Sequence, residues 1–126
     1  MDSQPTDACD LVVVEFTDPT AVLAGFGKLA ELVDAGRIRL RDLEFIHSID
    51  GIASTVPAGR VDHELARFEG ALAGLLDRDI LDAVASEMPH RNTAAALLCD
   101  GEGIADVIMA WTSGGARVTH PRSSSG

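Results

Sequence analysis

Apolar positions in the first half of the chain switch between strand and helix spacing. Residues 11–16 are a short β-branched run, which predicts a buried strand. A helix follows, because apolar side chains then recur at helical spacing and end at a glycine suited to a C-cap: Val22, Phe26, Leu29, Val33 and Gly36. Residues 37–41 alternate strictly between polar and apolar side chains, which predicts a strand with one solvent-exposed face. The alternation slips near Asp42, where we expect a β-bulge.

The second half opens with residues 52–60, which predict a loop because they carry Pro57 and Gly59. Helical spacing then returns from Val61 to Leu75. Asp77 is suited to capping a second helix, which ends before Pro89. A strand at 93–99, a helix containing Trp111 and a short strand at 116–119 complete the pattern.

This order predicts an α+β fold with a ferredoxin-like antiparallel four-stranded sheet. Along the chain, a β-α-β unit is followed by a helical hairpin insertion and then by a second β-α-β unit. The hairpin spans 61–88 within a single domain at 9–120, between a loose N-terminal lead at 1–8 and a disordered tail at 121–126. One unbroken helix at 61–88 would instead make the third strand parallel to the second and the fold doubly wound. The sequence Asp77-Arg78-Asp79 favours a break there between two separate helices.

Charge and composition narrow the classes of partner. The 126 residues carry a net charge of −10 with one lysine, and 4% of them are aromatic. The electrostatic field of this negative net charge repels phosphate backbones and anionic membrane surfaces, so we expect neither a nucleic-acid nor a membrane partner. No signal stretch and no run of eighteen apolar residues is present, which predicts a cytoplasmic protein.

Four segments resemble a family of small bacterial proteins known only as a domain of unknown function, number 6325. They are LVVVEF at 11–16, ELVDAGRIRLRDLEFI at 31–46, FEGALAGLLDRDILDAVA at 68–85 and TAAALLC at 93–99. The resemblance covers about residues 10–99 and implies no established reaction. The chain departs from the family at DGEGIA, 100–105, where members carry an aromatic-rich segment. Family members continue into a further C-terminal segment beyond residue 120, where this sequence reads PRSSSG.

Two side chains are candidates for acid–base chemistry. Glu15 lies inside an apolar strand, where burial of a carboxylate raises its pKa. His47 ends the second strand, and a Glu15–His47 dyad forms if both point to the same face of the sheet. The alternative is a solvated Glu15 at the wetter end of its strand and a surface histidine near a turn.

Other motifs point away from cofactor chemistry. Neighbouring helical residues diverge, so Asp62, His63 and Glu64 cannot converge on one metal ion. The turn at 100–103 holds two acidic residues, which would repel phosphate. We therefore expect no metal site and no cofactor. Cys9 and Cys99 fall at one sheet edge in the predicted fold, either as a redox pair or as two buried small side chains.

Two surface patterns suggest contacts with partners. Ala66, Gly70 and Gly74 recur every four residues, so they allow close helix packing within the hairpin or between two copies of the chain. The alternating basic residues Arg37, Arg39 and Arg41 are an anion-binding candidate whose alternative is a solvated strand face.

The sequence therefore predicts a non-enzymatic, homo-oligomeric interaction or regulatory domain. Its alternative is a cofactor-free enzyme or small-molecule-binding protein with a pocket between the sheet and the helical hairpin. Glu15 and His47 would then be the acid–base residues.

Overall fold

A computed structural model describes residues 10–89 and 92–119. Those residues form one sheet with helices on both of its faces. The strands are β1 (Asp10–Phe16), β2 (Ile38–Ile49), β3 (Ile52–Val56), β4 (Thr93–Gly101) and β5 (Arg117–Thr119). The α-helices are α1 (Leu23–Asp34), α2 (Ala58–Val61), α3 (Arg78–Ser86) and α4 (Ile104–Ser113), and 3-10 segments cover Pro19–Ala21 and His63–Ala71.

The sheet is antiparallel throughout, in the order β3-β2-β4-β1-β5. The pairing of β2 with β4 confirms that the third predicted strand runs opposite to the second. The predicted bulge is also present, because the register between β2 and β4 shifts between Leu40 and Asp42. Asp50 and Gly51 both have positive φ, 54° and 79°, as a two-residue type I′ hairpin turn requires.

The described sheet has five strands, whereas the sequence predicted four. The extra strand is β3, which lies where a loop was expected at residues 52–60. It pairs with the end of β2 from Phe45 to Ile49 through the tight turn at Asp50-Gly51. A five-residue strand next to Pro57 gives too short an alternation to be recognised, although the hairpin turn signal was visible.

The larger part of the core lies on one face of the sheet, here called the core face. It is covered by α1, α4 and the 3-10 segment His63–Ala71, which pack on Val12, Val14 and Leu97. Phe26 lies at its centre, with ring centroids 5.6 Å from Phe45, 5.3 Å from Phe68 and 5.0 Å from Trp111. These aromatic contacts join the sheet and all three covering elements.

Helices α1 and α4 approach closely because Gly25 has no side chain. The indole ring of Trp111 occupies the space where a Cβ at position 25 would project. Trp111 itself is fully buried. A glycine inside a helix weakens that helix by about 1 kcal/mol relative to alanine, so its presence here reflects packing rather than helix propensity.

The helical structure of residues 61–88 is interrupted as predicted, but its two parts do not form a helical hairpin. Asp77 caps α3 by accepting the Ile80 N–H at 3.0 Å. The first predicted helix is mostly the 3-10 segment His63–Ala71, which packs on the core face through Leu65 and Phe68. Helix α3 packs on the opposite face, here called the groove face. The two pieces therefore cover different sides of the sheet.

Asp42 holds the connector, residues 72–77, that carries the chain between the faces. Its side chain is fully buried at the β2 bulge. Oδ1 accepts the N–H groups of Leu43 at 2.9 Å and Ala73 at 2.7 Å, and Oδ2 accepts those of Leu75 and Leu76 at 2.8 Å each. Hydrogen bonds to a carboxylate are among the stronger ones in proteins, so one side chain orders the whole crossing.

Helix α3 also covers the outer edge of β3. The Ala53 N–H donates to Asp82 Oδ1 at 2.9 Å, and Arg78 Nη2 donates to the Ala53 carbonyl. Arg78 and Asp82 pair with each other at 3.4 Å. These two side chains supply the donor and the acceptor that another strand would offer, so they block edge-to-edge pairing at Ala53.

Candidate functional site

Glu15 and His47 do not form the predicted dyad, because the register places them on opposite faces of the sheet. Glu15 pairs with Ala94 and lies on the groove face. His47 pairs with Thr93, which pairs in turn with Phe16 on the core face. Each strand had the expected alternation, with Leu11 and Val13 on the side of Glu15. The sequence did not determine which residues of β1 and of β2 lie on the same face of the sheet.

The groove face carries an open groove of about 280 Å³ between the sheet and α3, here called the groove. Helix α3 contacts β2 and β3, so it covers only that half of the face. Leu11 and Val13 on β1 form the floor on the other half. The apolar wall comes from α3 and the residue two positions beyond it: Ile80, Ala83, Val84 and Met88.

Charged side chains gather at one end of the groove. Glu15 on β1 lies opposite Arg117 on β5, and Glu87 lies next to Met88 on the helical side. Asn92 holds the Glu15 carboxylate by donating from Nδ2 to Oε2 at 2.8 Å. Among the described residues Glu15 and Arg117 make no ion pair with each other, and both line the groove. Thr119 adds a hydroxyl beside Val13.

A second cavity, of about 320 Å³, lies at the outer edge of β2. Its polar groups already serve the fold, because Glu69 Oε2 accepts the Gly59 N–H at 2.9 Å. Burial raises the pKa of the Glu44 carboxyl, the Asp42 charge raises that pKa further, and Arg78 lowers it. The groove is therefore the stronger candidate site, because Arg117 lines it and makes no ion pair within the described residues.

The three small residues predicted as an interface do not share one stripe. Ala66 and Gly70 lie in the 3-10 segment, whose period of three separates residues four apart. Gly74 lies in the connector, with a φ of 76°. All three are exposed, and nothing lies within 4 Å of a Cβ built at Gly70 or Gly74. The structure therefore packs no helix against Gly70 or Gly74, whereas Ala66 lies against Gly59 of the short helix α2.

The arginine stripe faces an acidic residue of the same sheet. Arg41 Nε lies 2.9 Å from Asp100 Oδ2, and Arg39 Nε lies 3.9 Å from Asp100 Oδ1. Arg37 is exposed just before β2 begins. Asp100 therefore offsets part of the positive charge proposed for anion binding. Of the two cysteines, Cys99 is buried in the core face, whereas Cys9 lies outside the described residues.

Metal ligands do not converge in the described part of the chain. Residues 10–89 and 92–119 contain no group of three His, Cys, Asp or Glu side chains placed to hold an ion. Asp62 instead caps the 3-10 segment by accepting the Glu64 N–H at 2.9 Å. None of the helices in these ranges has the length and apolar character needed to cross a bilayer.

Sequence reasoning missed Arg117 and Asn92, which complete the polar end of the groove. Both belong to short segments at strand ends, and only the pairing of β1 with β4 and β5 brings them to Glu15. The sole sequence signal was one arginine in the short segment predicted as the last strand, a pattern that also fits any solvated surface position.

Comparisons with known proteins find no match for the chain. No family model, no curated protein and no solved structure matches it. The candidate site therefore rests on its own geometry.

Proposed function

We propose that this protein is a non-catalytic binding domain that takes a small, largely apolar ligand in the groove. One observation carries the proposal: Arg117 and Glu15 both line an apolar groove and, among the described residues, form no ion pair with each other. Binding sites typically combine apolar walls with a few convergent polar groups. Separation of Glu15 from His47 supports a binding role over an acid–base role, since the dyad was the basis for catalysis.

A neutral probe tests the groove itself. Titration of 1-octanol, followed by methyl NMR, should shift the signals of Leu11, Val13 and Val84 saturably. Ala83 lines the groove and is exposed, so Ala83→Phe should fill the groove without disturbing the core and abolish those shifts. The matched variant Ala105→Phe, at an exposed position of α4, should leave them unchanged. Shifts that persist in Ala83→Phe, or that never saturate, contradict the proposal.

A homo-oligomeric interaction role, predicted from the sequence, is the second candidate. Exposed apolar side chains on the β3 side of the molecule favour it: Ile52, Leu72 and Leu75 are each 56% exposed. An oligomer would bury this surface. Light scattering at micromolar concentration should then report a multiple of the 13.2 kDa chain mass. The double variant Leu72→Ser, Leu75→Ser should be monomeric, and a wild-type monomer contradicts this role.

We also infer that the fold is a ferredoxin-like sheet extended by one strand. The order β2-β4-β1-β5 supports this inference, because it is the four-strand order expected from two β-α-β units with β3 added outside β2. The likeness to family 6325 and the cytoplasmic location stay predictions. An experimental structure of a member of that family, with its strand order, would test the first.

A further inference from the structure

We infer that the ligand of the groove is an amphipathic molecule with a cationic head group, such as a protonated amine on an alkyl chain. This inference rests on the proposed binding function and specifies its ligand class. The head group lies at the Glu15 end, and the alkyl chain lies along Leu11, Val13 and α3.

The charge balance at the head end selects a cation. Two carboxylates, Glu15 and Glu87, and one guanidinium, Arg117, are the charged groups among the described lining residues. The net charge of −10 for the whole chain reinforces the local excess of negative charge. An anionic head group would be attracted by Arg117 alone and would be repelled by both carboxylates.

Glu15 is positioned in advance to receive the head group. The Asn92 amide holds one carboxylate oxygen at 2.8 Å, and neighbouring strands on both sides of β1 order its backbone. A carboxylate that is already oriented loses little side-chain freedom when it accepts a charge-assisted hydrogen bond from an ammonium group.

The size of the groove guides the choice of a probe that fills it. A water-sized group occupies ~30 Å³. The volume of about 280 Å³ therefore admits roughly nine non-hydrogen atoms. Octylamine has that size, 1-octanol carries the same octyl chain, and octanoate is an anion with the same number of carbon atoms.

Calorimetric titration with these three compounds tests the inference. Octylamine should bind about tenfold more tightly than 1-octanol, through one charge-assisted contact. Octanoate should bind more weakly than 1-octanol. Raising the salt concentration should weaken the binding of octylamine and leave the binding of 1-octanol unchanged.

Variants locate the head group. Glu15→Gln keeps an oxygen that accepts from Asn92, so the fold is preserved, and octylamine binding should fall about tenfold to the level of 1-octanol. Glu31→Gln, an exposed carboxylate of α1, is the matched control and should have no effect. Arg117→Gln removes the repelling charge, so octylamine should bind more tightly.

The outcomes separate the two proposals. If 1-octanol itself does not bind, the proposed binding function fails. If 1-octanol binds but octylamine is no tighter, or octanoate is tightest, the function stands and the cationic head group is wrong. An equal loss in Glu15→Gln and Glu31→Gln also overturns the inference, since the effect would then come from the general field of the protein.

Discussion

The two faces of the sheet are built by different physical means. The core face is packed by large side chains, with Phe26 contacting Phe45, Phe68 and Trp111. The groove face of β4 presents Ala94 and Ala96, and one nine-residue helix covers half of that face. Burial of apolar area therefore supplies most of the stability on the core face. Small side chains and partial coverage leave the space for the groove on the other.

Polar contacts compensate for the thin packing on the groove face. Asp42 orders the connector before α3, and the Ser48 hydroxyl donates to the Ala85 carbonyl at 2.8 Å. Arg78 and Asp82 tie the helix to β3. A few directed hydrogen bonds thus position α3, whereas extensive apolar contact positions α1 and α4. The groove depends on the contacts that hold α3.

The largest expected effect is on the core face. Phe26→Ala should lower the free energy of unfolding by about 4 kcal/mol, because it removes the ring shared by three aromatic contacts and leaves a cavity. Urea denaturation followed by circular dichroism measures this change. Met109→Ala, at a side chain 65% exposed on α4, should change stability by less than about 0.5 kcal/mol. Equal effects of the two substitutions would contradict the assigned core.

A slightly smaller effect should follow Asp42→Asn. Asparagine keeps one acceptor but turns an NH₂ group toward main-chain N–H donors, so stability should fall by about 3 kcal/mol. Hydrogen exchange should show early loss of protection at the amides of Leu75 and Leu76, while β1 and β4 stay protected. Asp34→Asn, which loses only an exposed ion pair with Arg67, is the control. Uniform loss of protection across the sheet would show that Asp42 supports both faces.

The ties between α3 and β3 should contribute less. Asp82→Ala removes the acceptor of the Ala53 N–H and the partner of Arg78, so we expect a loss of about 1 kcal/mol in urea denaturation. Asp82→Asn retains an oxygen acceptor and should lose less. Asp82→Ala should also associate at high protein concentration, since the β3 edge is opened. A monomeric Asp82→Ala protein of unchanged stability would contradict this assignment.

The smallest expected effect concerns pH. The raised pKa of Glu44 means that the folded protein holds this proton at pH values where the unfolded chain has released it. The Glu44 contribution to stability therefore falls as pH rises from the ordinary pKa of 4.5 to the raised value. Glu44→Gln should remove that decline, as measured by thermal unfolding across the acid range. An identical pH profile in Glu44→Gln would count against burial at this position.

Local patterns determined a large part of this structure. The run of β-branched residues at 11–16, the helical spacing from Phe26 to Val33 and the capping Asp77 each act within a few residues, and the structure contains β1, α1 and the start of α3 at those places. The bulge at Asp42 was also visible, because a period of two cannot change phase without an extra residue.

Tertiary contacts decided the rest. Alternation assigns faces within one strand, but only the register of β1, β4 and β2 showed that Glu15 and His47 point apart. The buried role of Asp42 depends on amides more than thirty positions away. The polar end of the groove likewise joins Glu15 to Asn92 and Arg117 from distant segments. Contacts between residues far apart in the chain leave no periodic signal, because each partner's own neighbours are compatible with many surroundings.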